Sequence, residues 1–227
     1  MYKIVLIGLV VVIASVGATM VIFRHPAALP VAPVATTTAA TPVVAATSTT
    51  YTNATYGYAV TYPIDLQRQE YPNGSIALGR AGTSSFTVLA NVRVAASGAS
   101  STYSDFESFV IADNRNQCAA DGPTGSIRCT KVLDINPYTN AQGLSGLSFS
   151  LDRVHDVFAT SSHKIATTTH DVFGPFYVFN IGANNASSAA TYTALVVQPS
   201  PSLAADQLDA ALVTHVADSA VINKVGP

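Results

Sequence analysis

From Ile4 to Phe23 the chain carries no charged residue, and Arg24 and His25 close the run. As a helix, a segment of this length spans about 30 Å, the thickness of a bilayer's hydrocarbon. A core helix of a water-soluble domain keeps polar positions on one side, and this run has none. The chain is therefore expected to divide into a membrane segment (1–25, with a transmembrane helix over 4–23) and something displayed by it. Two readings of the segment fit. In one it is an uncleaved anchor. In the other it is a signal peptide with Lys3, an apolar stretch to Ala14 and a small-residue cleavage site at Val16-Gly17-Ala18. The apolar run continues past Ala18, which favours the anchor; cleavage would make the protein secreted. Lys3 and Arg24 flank the run on opposite sides, so the positive-inside rule decides little.

Residues 26–50 hold Pro26, Pro30, Pro33 and Pro42 among many Ala and Thr, with no charge. Proline fixes φ and lacks an N–H, which disfavours helix and central strand. The expected state is an extended tether that holds a domain away from the bilayer.

Residues 51–227 are long enough for one domain with its own core. Of the whole chain 48% is hydrophobic and 11% charged, with a formal net charge of -2, which excludes disorder throughout and gives no basic stripe for nucleic acid. Tyr56, Tyr58, Val60 and Tyr62 alternate with Gly57, Ala59 and Thr61, a strand with one aromatic face that Pro63 ends. Tyr71-Pro72-Asn73-Gly74 is a turn, with Ser75 to Leu78 returning as a strand. Alternation resumes over Phe86 to Ala95. A capping box at Ser104 and Glu107 predicts a helix carrying Phe106, Phe109 and Val110. Strands are expected over Ile127–Ile135, Leu147–Val157, Phe176–Ile181 and Ala194–Gln198. A long helix is expected over Ser202–Ile222, with Leu208, Leu212 and Val216 on one face. This order predicts an α+β fold, a mainly antiparallel sheet covered by helices.

The opening Tyr51-x-Asn53-x-x-Tyr56-Gly57-Tyr58-x-x-x-Tyr62-Pro63 resembles the start of PsbP-like domains, the family of the extrinsic protein of the plant oxygen-evolving complex. Leu66 stands where a Trp often follows the Tyr-Pro pair. The resemblance implies a PsbP-like α+β fold and an accessory or binding role, and it implies no shared catalytic residues.

Cys118 and Cys129 bracket a turn containing Gly122, Pro123 and Gly125, so their ends can meet. An exported location favours a disulfide, while the spacing lacks the C-x-x-C of redox enzymes. His155-Asp156-Val157-Phe158 recurs as His170-Asp171-Val172-Phe173, with His163 between. Three imidazoles and two carboxylates are the donor types of a zinc or copper site. Yet neighbours on a strand point to opposite faces, so these pairs cannot all converge. Ser161-Ser162-His163-Lys164 matches S-x-x-K but lacks the partner motifs of penicillin-recognising enzymes.

The function expected from the sequence is a membrane-anchored extracytoplasmic binding or scaffolding domain. No catalysis, cofactor, metal or nucleic acid is expected. Its partners would be the membrane, through the N-terminal helix, and an unidentified protein or small ligand. The alternative is an exported metal-binding protein or enzyme centred on His155, His163 and His170.

Overall fold

The computed structural model describes residues 47–83, 85–98, 101, 103–114, 117–118, 120–122, 124–159, 164–184 and 191–223. The expected membrane span at 4–23, the tether up to residue 46, and Ser161, Ser162 and His163 of the S-x-x-K match lie outside them, while residues 48–50, expected in the tether, already form strand. Among the described residues no helix is long and apolar enough to cross a membrane.

Two antiparallel sheets make up most of the domain. The small one has the order β1 (Ser48–Asn53), β2 (Tyr58–Pro63), β11 (Val221–Ile222). The large one runs β3 (Gln67–Glu70), β4 (Ile76–Ala81), β5 (Phe86–Ala96), β10 (Thr191–Pro199), β9 (Ile165–Asn184), β8 (Ser145–Phe158), β7 (Gly125–Thr139), β6 (Ala120–Gly122). The described α-helices are short: α1 (Phe106–Asn114) and α2 (Ala210–Asp218). The α+β expectation, with a sheet covered by helices, is thus overturned: the fold is mainly β.

The long C-terminal helix fails for a local reason. The Asp209 carboxylate accepts the Leu212 N–H at 2.9 Å, with Asp209 itself in a non-helical conformation (φ -99°, ψ 83°). That is an N-cap, so the helix begins at Ala210. Leu208 is left outside it and packs in a different cluster from Leu212 and Val216. At the other end the Ser219 hydroxyl accepts the Thr61 N–H and donates to the Thr61 carbonyl, and the chain then adds β11 beside Tyr58 and Ala59. The first helix is also capped one residue later than the expected Ser104 box, because the Asp105 carboxylate accepts the Ser108 N–H at 2.7 Å.

The large sheet is apolar on both faces. Along β10, Leu195 and Val197 enter one cluster while Ala194 and Val196 enter the other. The first cluster lies under the small sheet and α2, where Tyr58, Val60 and Tyr62 meet Ile76, Leu78 and Val92. The second gathers Phe109 and Val110 of α1 with Phe149, Phe173 and Phe176.

Cys118 and Cys129 form a disulfide, with their Cα atoms 5.6 Å apart, and both lie in this second cluster. Closing so short a loop removes about 3 kcal/mol of chain entropy from the unfolded state. Replacing both cysteines by alanine is expected to lower unfolding stability by about that amount in urea titrations. An unchanged midpoint would contradict this, as would two free thiols titrated in the native, non-reduced protein.

Candidate functional site

Residues 51–56 of the Tyr51–Tyr62 motif line an open cleft. In β1, Tyr51 and Asn53 turn inward while Thr50 and Thr52 stay towards solvent, as the period of two requires. Asn53 then organises its surroundings. Its Oδ1 accepts the Tyr56 N–H at 3.0 Å, which shapes the turn into Gly57 (φ 65°). Its Nδ2 donates to the Gly74 carbonyl (3.3 Å) and to the Tyr51 hydroxyl (3.2 Å). The Tyr58 hydroxyl donates to the same Gly74 carbonyl at 2.7 Å. The small sheet therefore grips the β3–β4 turn by a single carbonyl. Gly74 has φ +77°, and a Cβ there would sit 2.2 Å from the Tyr56 ring, so only glycine fits.

The opposite wall comes from β3. Arg68 lies 4.5 Å above the centre of the Tyr51 ring and pairs with Glu70 at 2.7 Å. It also donates to the Tyr62 hydroxyl at 3.2 Å, and the Tyr51 hydroxyl donates to Glu70 at 3.2 Å. The open space between these walls is about 690 Å³, lined also by Tyr56, Tyr71 and the exposed threonines. Burial raises the pKa of the Tyr51 and Tyr58 phenols, so both stay protonated at neutral pH. They serve as hydrogen-bonding groups, not as bases. Sequence reading found the tyrosines and Asn53 but missed Arg68 and Glu70. The only available signal was a short, charged, wholly exposed strand directly after the Tyr-Pro pair.

The histidine segment forms the β8–β9 hairpin, and its register separates the groups. Arg153 pairs with Asp171, and Val154 with His170. On one face Arg153, fully buried, holds Asp171 through two hydrogen bonds (2.9 and 2.6 Å) and donates to the Leu203 carbonyl. His155 reaches the same Asp171 at 3.2 Å. On the other face His170 meets Asp152 at 3.1 Å, and Asp156 meets Arg128 at 2.9 Å and the Thr168 hydroxyl at 2.6 Å. The hairpin's two described imidazoles thus take different carboxylates on opposite faces. Among the described residues no three His, Cys, Asp or Glu side chains gather as a metal site.

No family model, curated protein or solved structure matches this chain. The α+β fold that the resemblance to PsbP-like domains implies is not the fold observed, so only the Tyr51–Pro63 motif remains of it.

The Arg153 hydrogen bonds hold the Asp171 carboxyl below the usual carboxylate range, with a smaller contribution from His155. A depressed folded value gives stability that is present above the unfolded value of about 3.9 and is lost as pH falls through the folded value. Asp171→Asn is expected to flatten that acid limb in urea titrations. It also leaves Arg153 buried without its counter-ion, at a cost of roughly 3 kcal/mol at neutral pH. A variant with wild-type stability at pH 7 and the wild-type acid limb would contradict this account of the hairpin.

Proposed function

We propose that this protein is a membrane-anchored extracytoplasmic binding domain without catalytic activity, and that its ligand enters the cleft between β1 and β3. The observation that carries the reading is the convergence of the Tyr51–Tyr58 motif with Arg68 and Glu70 around an open, polar space. Tyr51, Asn53 and Tyr58 are buried and fix the walls, while Tyr56 and Tyr71 remain 36% and 41% exposed at the rim. A rigid wall with exposed aromatic rings beside it suits recognition, because little side-chain freedom is lost on binding.

Three features support the placement outside the cytoplasm. The apolar run at 4–23 has bilayer length, the Pro/Ala/Thr tether follows it, and the disulfide belongs to an oxidising compartment. Binding is favoured over catalysis because the ionisable groups are already occupied. Arg68 and Glu70 neutralise each other, the phenols stay protonated, and His155 shares its carboxylate with a buried arginine. The metal-site alternative has less support, since His155 and His170 leave opposite faces of the hairpin.

Protease added to intact spheroplasts carrying the full chain is expected to digest the domain. Complete protection until the membrane is permeabilised would contradict the placement.

A further inference from the structure

We infer that the cleft takes a neutral saccharide, held by a pair of neighbouring hydroxyls on the exposed edge of the Arg68–Glu70 pair and by an apolar sugar face on the tyrosine rim. This rests on the reading of the cleft as a ligand site and names the class of ligand.

Charge narrows the choice first. Arg68 and Glu70 are the only ionised groups among the described residues lining the cleft, and they lie 2.7 Å apart. The space therefore presents no net charge. A phosphate at Arg68 would meet the Glu70 carboxylate and an ammonium group at Glu70 would meet the Arg68 guanidinium, each a like charge, whereas a neutral polar ligand meets no repulsion from either partner. Polarity narrows it next. Thr52 and Thr55 bring exposed hydroxyls to the wall, beside the Thr50 hydroxyl that bonds Thr61, and a lipid chain would take them out of water.

The ion pair has the right pattern for a diol. Its side chains keep 32% and 52% of their surface exposed, and they set guanidinium donors beside carboxylate acceptors. Arg68 Nε and Nη2 go to Glu70 Oε1 and Nη1 to the Tyr62 hydroxyl, but each terminal nitrogen keeps a second N–H, and Glu70 Oε2 keeps a lone pair beyond the Tyr51 bond, so two adjacent sugar hydroxyls, which donate and accept, can use them in charge-assisted bonds. The exposed rings of Tyr56 and Tyr71 supply the other half. The negative face of an aromatic ring attracts the weakly positive C–H groups of a pyranose. The Tyr56 ring lies against Gly74, where an added Cβ would sit 2.2 Å from it. An extended peptide is a weaker fit. Strand addition needs a long bare edge, and β3 is four residues long and carries this ion pair.

The test uses the full-length chain in a detergent without a sugar headgroup. Cellohexaose, chitohexaose and mannohexaose are titrated at up to millimolar concentration, followed by calorimetry and by NMR of labelled tyrosine rings. An extended-peptide library and inorganic phosphate are titrated in parallel. The expected result is saturable binding of at least one hexasaccharide that shifts the Tyr56 and Tyr71 signals. Glu70→Gln and Tyr71→Ala should each weaken it at least about tenfold with circular dichroism unchanged, and His170→Ala should leave it intact. Sugar binding that survives both cleft variants would overturn the proposal. Ring shifts with peptide or phosphate but with no sugar would overturn the saccharide class and keep the cleft as a binding site. Unmoved tyrosine signals with all three classes would overturn both readings.

Discussion

The packing of the small sheet on the large one supports everything else in this domain. Tyr58, Val60 and Tyr62 project from alternate positions of β2 into a cluster with Ile76, Leu78, Val92, Leu195 and Val197. Burying side chains of this size contributes about 1.5–3 kcal/mol each before the entropy of ordering them is counted. A sheet of three strands, one of them only two residues long, cannot hold itself together in water. It persists because its inner face is covered. The same contact brings Tyr51 of β1 against Arg68 and Glu70 of β3, and the cleft opens beside that junction. The polar grip on the Gly74 carbonyl sets how the sheets meet, since Asn53 and Tyr58 both spend their hydrogen bonds on it.

The two regions richest in chemical groups differ in kind. In the β8–β9 hairpin the charges are consumed internally. Arg153 is fully buried and its donors go to Asp171 and a main-chain carbonyl, so removing a partner would strand a charge. That pattern belongs to an element being held in place. At the cleft the ion pair is half open to solvent, and the aromatic rings beside it are exposed. Groups that are positioned yet accessible are available to a ligand.

Much of the strand content was legible because a half-buried strand alternates. Tyr58, Val60 and Tyr62 are all buried, and the opposed directions of His155 and Asp156 follow from the same period. The cysteine pair was legible from its turn and its even count. The overall class was not. Alternation fades along β7, β8 and β9 because the register slips, at Cys129/Lys131, Leu133/Asn136 and Phe149/Leu151, and each bulge exchanges inside for outside. Asp134 sits within one of these slips at φ 51°. With those strands read as too short, the helices gained weight they do not have, and the Asp209 cap at one end with Ser219 and β11 at the other cut the expected long helix to Ala210–Asp218. Arg68 and Glu70 could not be recognised because an exposed edge strand has no buried face to print a pattern.

Native-state hydrogen exchange tests the central claim, that the small sheet is an inseparable wall of the cleft. If the tyrosine face welds the two sheets, the β2 amides paired with β1 exchange only through global unfolding, with the same free energy as β10 in the middle of the large sheet. Exchange of β1 and β2 through a separate, much lower-energy opening while β10 stays protected would contradict it. The cleft would then be a transient gap between loosely joined parts, with no fixed walls to recognise anything.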